Sequence, residues 1–134
     1  MKGLTIGELA KRGGVNLETI RYYERAGLLP RPPRTQAGYR IFPDDAARRL
    51  RFIKRAQQLG FSLREIRELL ALRIEPGKTR ADVRERAKAK IEDIDQKLRT
   101  LRQMKSALVK LTAACHGNGS LSDCPILEGL EKGV

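Results

Sequence analysis

Thr5-Ile6-Gly7-Glu8-Leu9-Ala10-Lys11-Arg12-Gly13-Gly14-Val15-Asn16-Leu17-Glu18-Thr19-Ile20-Arg21-Tyr22-Tyr23-Glu24-Arg25-Ala26-Gly27 is the stretch that decides the fold. Thr5 stands three residues before Glu8, the reciprocal capping pattern that opens a helix. Ile6 and Leu9 share its inner face, and Gly13-Gly14 ends it. Asn16 caps a second helix, expected over residues 17–26, with Ile20 and Tyr23 on one face and Gly27 as its stop. Two short helices joined through Gly13-Gly14-Val15 fit a helix-turn-helix, with Val15 packed into the angle between them.

The second helix of such a unit enters the major groove of DNA with its early residues nearest the bases. Asn16, Glu18, Thr19, Arg21 and Tyr22 are the outward candidates. Arg21 and Arg25 are placed to reach phosphates, and the Tyr22 hydroxyl to donate to one; such contacts fix register while base contacts set sequence choice.

The segment that follows carries Pro30, Pro32 and Pro33, which forbid a helix. Its tail through Gly38-Tyr39-Arg40 reads as a small hairpin or wing, with Arg31, Arg34, Tyr39 and Arg40 pressed on the DNA backbone. A third helix is expected from Pro43 to Leu59, its start charged by Asp44-Asp45 and its inner stripe made by Leu50, Ile53 and Ala56. Lys54 and Arg55 extend the basic footprint. Ser62 and Glu65 repeat the capping box before a fourth helix lined by Leu63, Ile66, Leu69 and Leu70.

Charge supports a nucleic-acid partner. The 134 residues carry a formal net charge of +12. Residues 1–75 hold 16 basic and 8 acidic side chains, and the remainder 12 and 8, so most of the positive field lies in the N-terminal part. No apolar run approaches the roughly 20 residues that span a bilayer. The N-terminus lacks a signal-peptide core, so a cytoplasmic location is expected and a membrane partner is not. A single His, no clustered carboxylates and no phosphate-cradling glycine motif argue against an enzyme.

Pro76-Gly77 breaks the chain. From Thr79 to Ala113 there is no Pro or Gly, and Val83, Ala87, Ile91, Ile94, Leu98, Leu101, Met104, Leu108 and Leu111 recur at steps of three or four. A helix of this length is about 50 Å long and cannot cover its own stripe. A second copy is the simplest partner, giving a homodimer through residues 79–113. The expected organisation is mainly α: a winged helix-turn-helix domain over 1–75, a dimerisation helix over 76–113, and a loop with a short C-terminal helix over 114–134, in which Leu127 and Leu130 pack the loop down.

Cys115 and Cys124 are the only cysteines. They flank Gly117 and Gly119, and Pro125 follows. In a reducing compartment, paired thiols read as ligands or redox groups rather than a staple. Thiolates suit soft ions: copper(I), silver, gold, mercury(II) or zinc. Two sulfurs alone favour low coordination, whereas structural zinc takes four ligands; His116 is a further candidate donor. A reversible disulfide is the competing reading.

Thr5-Ile6-Gly7-Glu8-Leu9-Ala10, Thr19-Ile20-Arg21-Tyr22-Tyr23-Glu24, Gly27-Leu28-Leu29, Gly38-Tyr39-Arg40 and Leu59-Gly60-Phe61-Ser62-Leu63-Arg64-Glu65-Ile66 resemble the MerR family of bacterial transcriptional regulators. The loop with its Cys124-Pro125-Ile126-Leu127 ending resembles the metal-sensing branch. The resemblance implies an antiparallel coiled-coil dimer on a palindromic promoter in double-stranded DNA. It also implies activation by bending and untwisting that DNA for RNA polymerase, a control through DNA shape. Arg80 aligns where divalent-metal sensors of the branch carry a further cysteine. A guanidinium has donors only and cannot ligate, but it can offset the charge of a bis-thiolate complex. A copper(I)-type sensor, holding Cu(I), Ag(I) or Au(I) on Cys115 and Cys124 with Arg80 and His116 nearby, is therefore the first expectation; mercury(II) or zinc(II) is the second.

Overall fold

The structure is a computed structural model that describes residues 3–133. Two compact units divide the chain at Lys90 and Ile91. The first holds α1 (Ile6–Gly13), α2 (Leu17–Arg25), α3 (Ala46–Gln58), α4 (Leu63–Ile74) and the opening of α5 (Arg80–Ala113); the second holds the rest of α5, a single 3-10 turn at Leu121–Asp123 and α6 (Pro125–Lys132). Among the described residues there is no strand, only two isolated antiparallel bridges, Leu4 with Phe42 and Arg34 with Arg40.

The N-terminal capping box forms as the sequence predicts. Thr5 Oγ1 accepts the Glu8 N–H at 3.2 Å, and Glu8 Oε1 accepts the Thr5 N–H at 2.9 Å. The two glycines of the turn have separate jobs. Gly14 takes the left-handed conformation, φ 67°, that ends α1, a region where a Cβ is penalised. Gly13 is needed for approach: a Cβ there would overlap the Leu50 side chain of α3. Val15 packs against the core beside this contact.

That core is one cluster. Leu9, Ile20, Leu28, Phe42, Leu50, Ile53 and Ile66 are fully buried, with Tyr23, Leu29, Ala46 and Ala47 around them. The Tyr23 hydroxyl donates to Gln57 Oε1. The Leu4–Phe42 bridge draws the N-terminus onto the segment before α3.

α3 begins at Ala46, three residues later than the expected Pro43. Residues 43–45 form a turn instead, closed by the Ala46 N–H on the Pro43 carbonyl at 3.0 Å. Asp45 holds the capping position in a helical conformation and its side chain makes no capping bond. α4 starts as expected, with Glu65 N–H on Ser62 Oγ at 3.1 Å and Ser62 N–H on Glu65 Oε1 at 2.8 Å. Thr79 N–H donates to Asp82 Oδ2 at 2.8 Å and opens α5.

α5 runs uninterrupted over 34 residues and buries only one of them, Lys90. Val83, Ile91, Ile94, Leu98, Leu101, Met104 and Leu108 are all exposed. In the second unit α6 meets α5 through Gly129, where a Cβ would overlap Leu111. Leu127 and Leu130, expected to pack the loop down, are 49% and 59% exposed; it is Gly129, without a side chain, that lets the α6 backbone approach α5. No helix of the described residues is long and apolar enough to cross a membrane.

Candidate DNA-reading surface and thiol loop

The outward face of α2 is ordered from within. Asn16 Oδ1 accepts both the Thr19 N–H at 2.8 Å and the Thr19 hydroxyl at 2.9 Å, so these two side chains cap the helix as a pair. Glu18 and Arg21 form an exposed ion pair at 2.8 Å. Such pairs contribute little stability but hold a guanidinium in one orientation. Tyr22 and Arg25 are exposed.

The wing is a tight hairpin. Arg34 and Arg40 bridge, the Thr35 N–H meets the Tyr39 carbonyl at 2.7 Å, and an Arg34 guanidinium N–H meets the Gly38 carbonyl at 2.7 Å. Tyr39 projects into solvent at its tip. Between α2 and the hairpin lies a cleft of about 250 Å³ lined by Arg21, Arg25, Arg31, Arg34, Arg40 and Glu24. Five guanidiniums against one carboxylate make a site for phosphate oxygens, since each presents a fork of donors.

Glu24 is the member sequence reasoning missed. Its Oε2 is buried and has no hydrogen-bond partner among the described residues. The signal was available, because positions 21, 24 and 25 share one face of a helix.

Lys54 and Arg55 are placed differently from one another. Lys54 is half-buried and its ammonium donates to the Gly14 carbonyl at 3.0 Å. Arg55 is exposed and its guanidinium meets Gln58 Oε1 at 3.5 Å. Two further arginines hold the end of α2: Arg49 donates to the Leu28 carbonyl at 2.8 Å and Arg67 to the Ala26 carbonyl at 2.6 Å. These oxygens follow the last turn of α2, where carbonyls lack intrahelical partners.

In the second unit, Cys115 and Cys124 are both free and half-buried. Cys115 Sγ accepts the Gly117 N–H at 3.4 Å, and Cys124 caps α6, its carbonyl taking the Glu128 N–H at 3.0 Å. His116 is exposed. Arg80 is exposed as the first residue of α5 and belongs to the first unit. Among the described residues no three His, Cys, Asp or Glu side chains gather to hold a metal ion. Cys115 and Cys124 are the thiol groups of this loop, and thiolates suit soft ions.

A helix-turn-helix, a hairpin wing and an arginine cleft between them define a DNA-binding regulatory protein. The chain belongs to the MerR family: residues 4–72 match the family described as MerR HTH family regulatory protein, and residues 47–111 match MerR, DNA binding. It is 46% identical over 127 residues to a mercuric resistance operon regulatory protein of Bacillus cereus, covering 95% of this chain and 96% of that one. It is 45% identical over 131 residues to the HTH-type transcriptional regulator HmrR of Rhizobium leguminosarum bv. viciae, covering 98% and 100%. Among solved structures, the transcription regulator PbrR691 from Ralstonia metallidurans CH34 in complex with lead(II) superposes with a TM-score of 0.83 at 34% identity, covering 95% and 98%.

Proposed function

We propose that this protein is a metal-responsive transcriptional regulator that binds promoter DNA as a homodimer and activates RNA polymerase by reshaping that DNA. Its effector is a soft ion held by Cys115 and Cys124. The observation that carries the effector reading is the pair of free thiols, Cys115 and Cys124, on one glycine-containing loop. Cu(I), Ag(I) and Au(I) are the first choice because two sulfurs satisfy them. Mercury(II) is the second, supported by the 46% identical relative named for mercuric resistance and by the same preference for thiolates. Cys115 and Cys124 would hold the ion, which would supply an effector-dependent charge and constraint on the loop; the chain supplies that loop and the helix α6 that follows.

The homodimer reading rests on the exposed stripe of α5, from Val83 to Leu108, which a second copy would cover. Asn16, Glu18, Thr19, Arg21, Tyr22 and Arg25 of α2, with Arg34, Tyr39 and Arg40 of the wing, are assigned to DNA. Lys54 and Arg55 flank that surface.

Reconstituted transcription tests the reading. Reduced protein is titrated with Cu(I), Ag(I), Hg(II) and Zn(II) against a competing chelator, on a template carrying its operator. Cys115→Ser and Cys124→Ser are expected to abolish the metal response while operator affinity stays within about threefold, a change under 1 kcal/mol. Zn(II) induction with silent Cu(I), Ag(I) and Hg(II) would overturn the two-sulfur reading, and a response to peroxide without any metal would replace it with a thiol switch.

A further inference from the structure

Lys90 is the buried residue of α5, with 8% of its surface exposed. Its ammonium donates to Glu65 Oε1 at 2.9 Å, and the same oxygen accepts the Ser62 N–H at 2.8 Å. One carboxylate therefore closes the N-terminus of α4 and receives the long helix. The Lys90 ammonium also lies 5.4 Å from the centroid of the Phe61 ring, within cation–π range. The stem runs past Gly60, where an added Cβ would meet Lys90 Cδ at an ordinary contact distance of 3.8 Å.

One turn earlier on α5, Arg86 pairs with Glu68, three residues further along α4. Two attachments spaced by a turn on each helix fix both the separation and the rotation of α5 against α4. The Lys90 ammonium is buried while the Glu65 side chain keeps 36% of its surface exposed, and such partly desolvated pairs add little net stability, so the value of the contact here is geometric. Both attachments lie within the first compact unit, which holds the opening of α5 up to Lys90.

We infer that Lys90 is a positioning residue: by clamping the opening turns of α5 to Glu65 and Phe61 it fixes how they pack on α4, and so the half-site spacing that the homodimer accepts. The inference rests on the reading of a dimer joined through α5. Two reading units joined by rigid helices address half-sites at one separation, whereas a loose joint tolerates several.

The test uses the full-length protein and duplexes selected by it from random sequence, then rebuilt with the centre lengthened or shortened by one and two base pairs. Wild type is expected to discriminate among these spacings by about tenfold or more, equivalent to about 1.4 kcal/mol. Lys90→Met keeps the apolar stem and removes the charge; Glu65→Gln keeps the acceptor for Ser62. Each is expected to bind the best duplex within about threefold of wild type while the spacing preference shrinks to about threefold. The double variant should be no flatter than either single one, as residues acting through one contact are non-additive. Circular dichroism confirms the fold, and Glu65→Gln decides alone if Lys90→Met unfolds. Folded variants that keep the wild-type spacing preference overturn the inference. A wild-type protein indifferent to spacing overturns instead the dimer reading beneath it.

Discussion

Lys54 Nζ lies 3.0 Å from the Gly14 carbonyl oxygen, so a side chain of α3 closes the turn between α1 and α2. The charge sits beside the surface proposed to read DNA but is engaged with the protein's own backbone. Lys54→Met is expected to lower stability by about 1 kcal/mol, the net worth of such a bond, read as a lower melting temperature. An unchanged melting temperature, with the salt dependence of operator binding reduced by one phosphate contact, would instead return Lys54 to the DNA footprint.

The arginine cleft predicts a graded electrostatic response. Arg31→Ala and Arg40→Ala should each weaken binding to all duplexes, operator or not, and each should flatten the slope of log affinity against log salt by about 0.9. Loss confined to the operator would mean that these residues read bases. Fluorescence anisotropy at several salt concentrations distinguishes the two.

Glu65 predicts an acid sensitivity. The Ser62 backbone N–H, followed by the Lys90 ammonium, pulls its carboxyl from the ordinary 4.5 down to about 2. A carboxylate whose pKa is lowered in the folded state adds stability that is complete above the unfolded value and is lost as pH falls through the folded one. The loss should therefore develop between pH 4.5 and 2. Urea midpoints of wild type should fall more steeply over that window than those of Glu65→Gln, and equal slopes would refute the assignment. Glu8 is lowered in the same sense by the Thr5 N–H, and Asp82 by the Thr79 N–H, so part of the decline remains in the variant.

What local chemistry writes into the chain was legible. Both Ser/Thr–Glu capping boxes, the Asn16 cap, the left-handed stop at Gly14 and the uncovered stripe of α5 follow from residues within one or two turns of each other. What joins distant segments was not. Nothing in the spacing of Gly13 announces Leu50, 37 positions away, and Arg49 and Arg67 look like ordinary surface charges until their carbonyl partners are seen. Lys90 is the sharpest case: in a charged helix it reads as one more solvated lysine, and only tertiary packing buries it on Glu65. Asp44-Asp45 misled in the opposite way. Their charge suits a helix start, but the chain spends residues 43–45 on a turn and α3 begins at Ala46. The thiols were found by their rarity, as the only two cysteines of the chain.

The cleft between α2 and the wing is walled by guanidinium groups and contains no primary amine. Enzymatic or spontaneous acylation, which silences lysine in many basic proteins by capping its nitrogen, finds no target there. An acyl donor would therefore leave the cleft's charge untouched and meet exposed lysines elsewhere instead, such as Lys11 of α1 and Lys88 of α5.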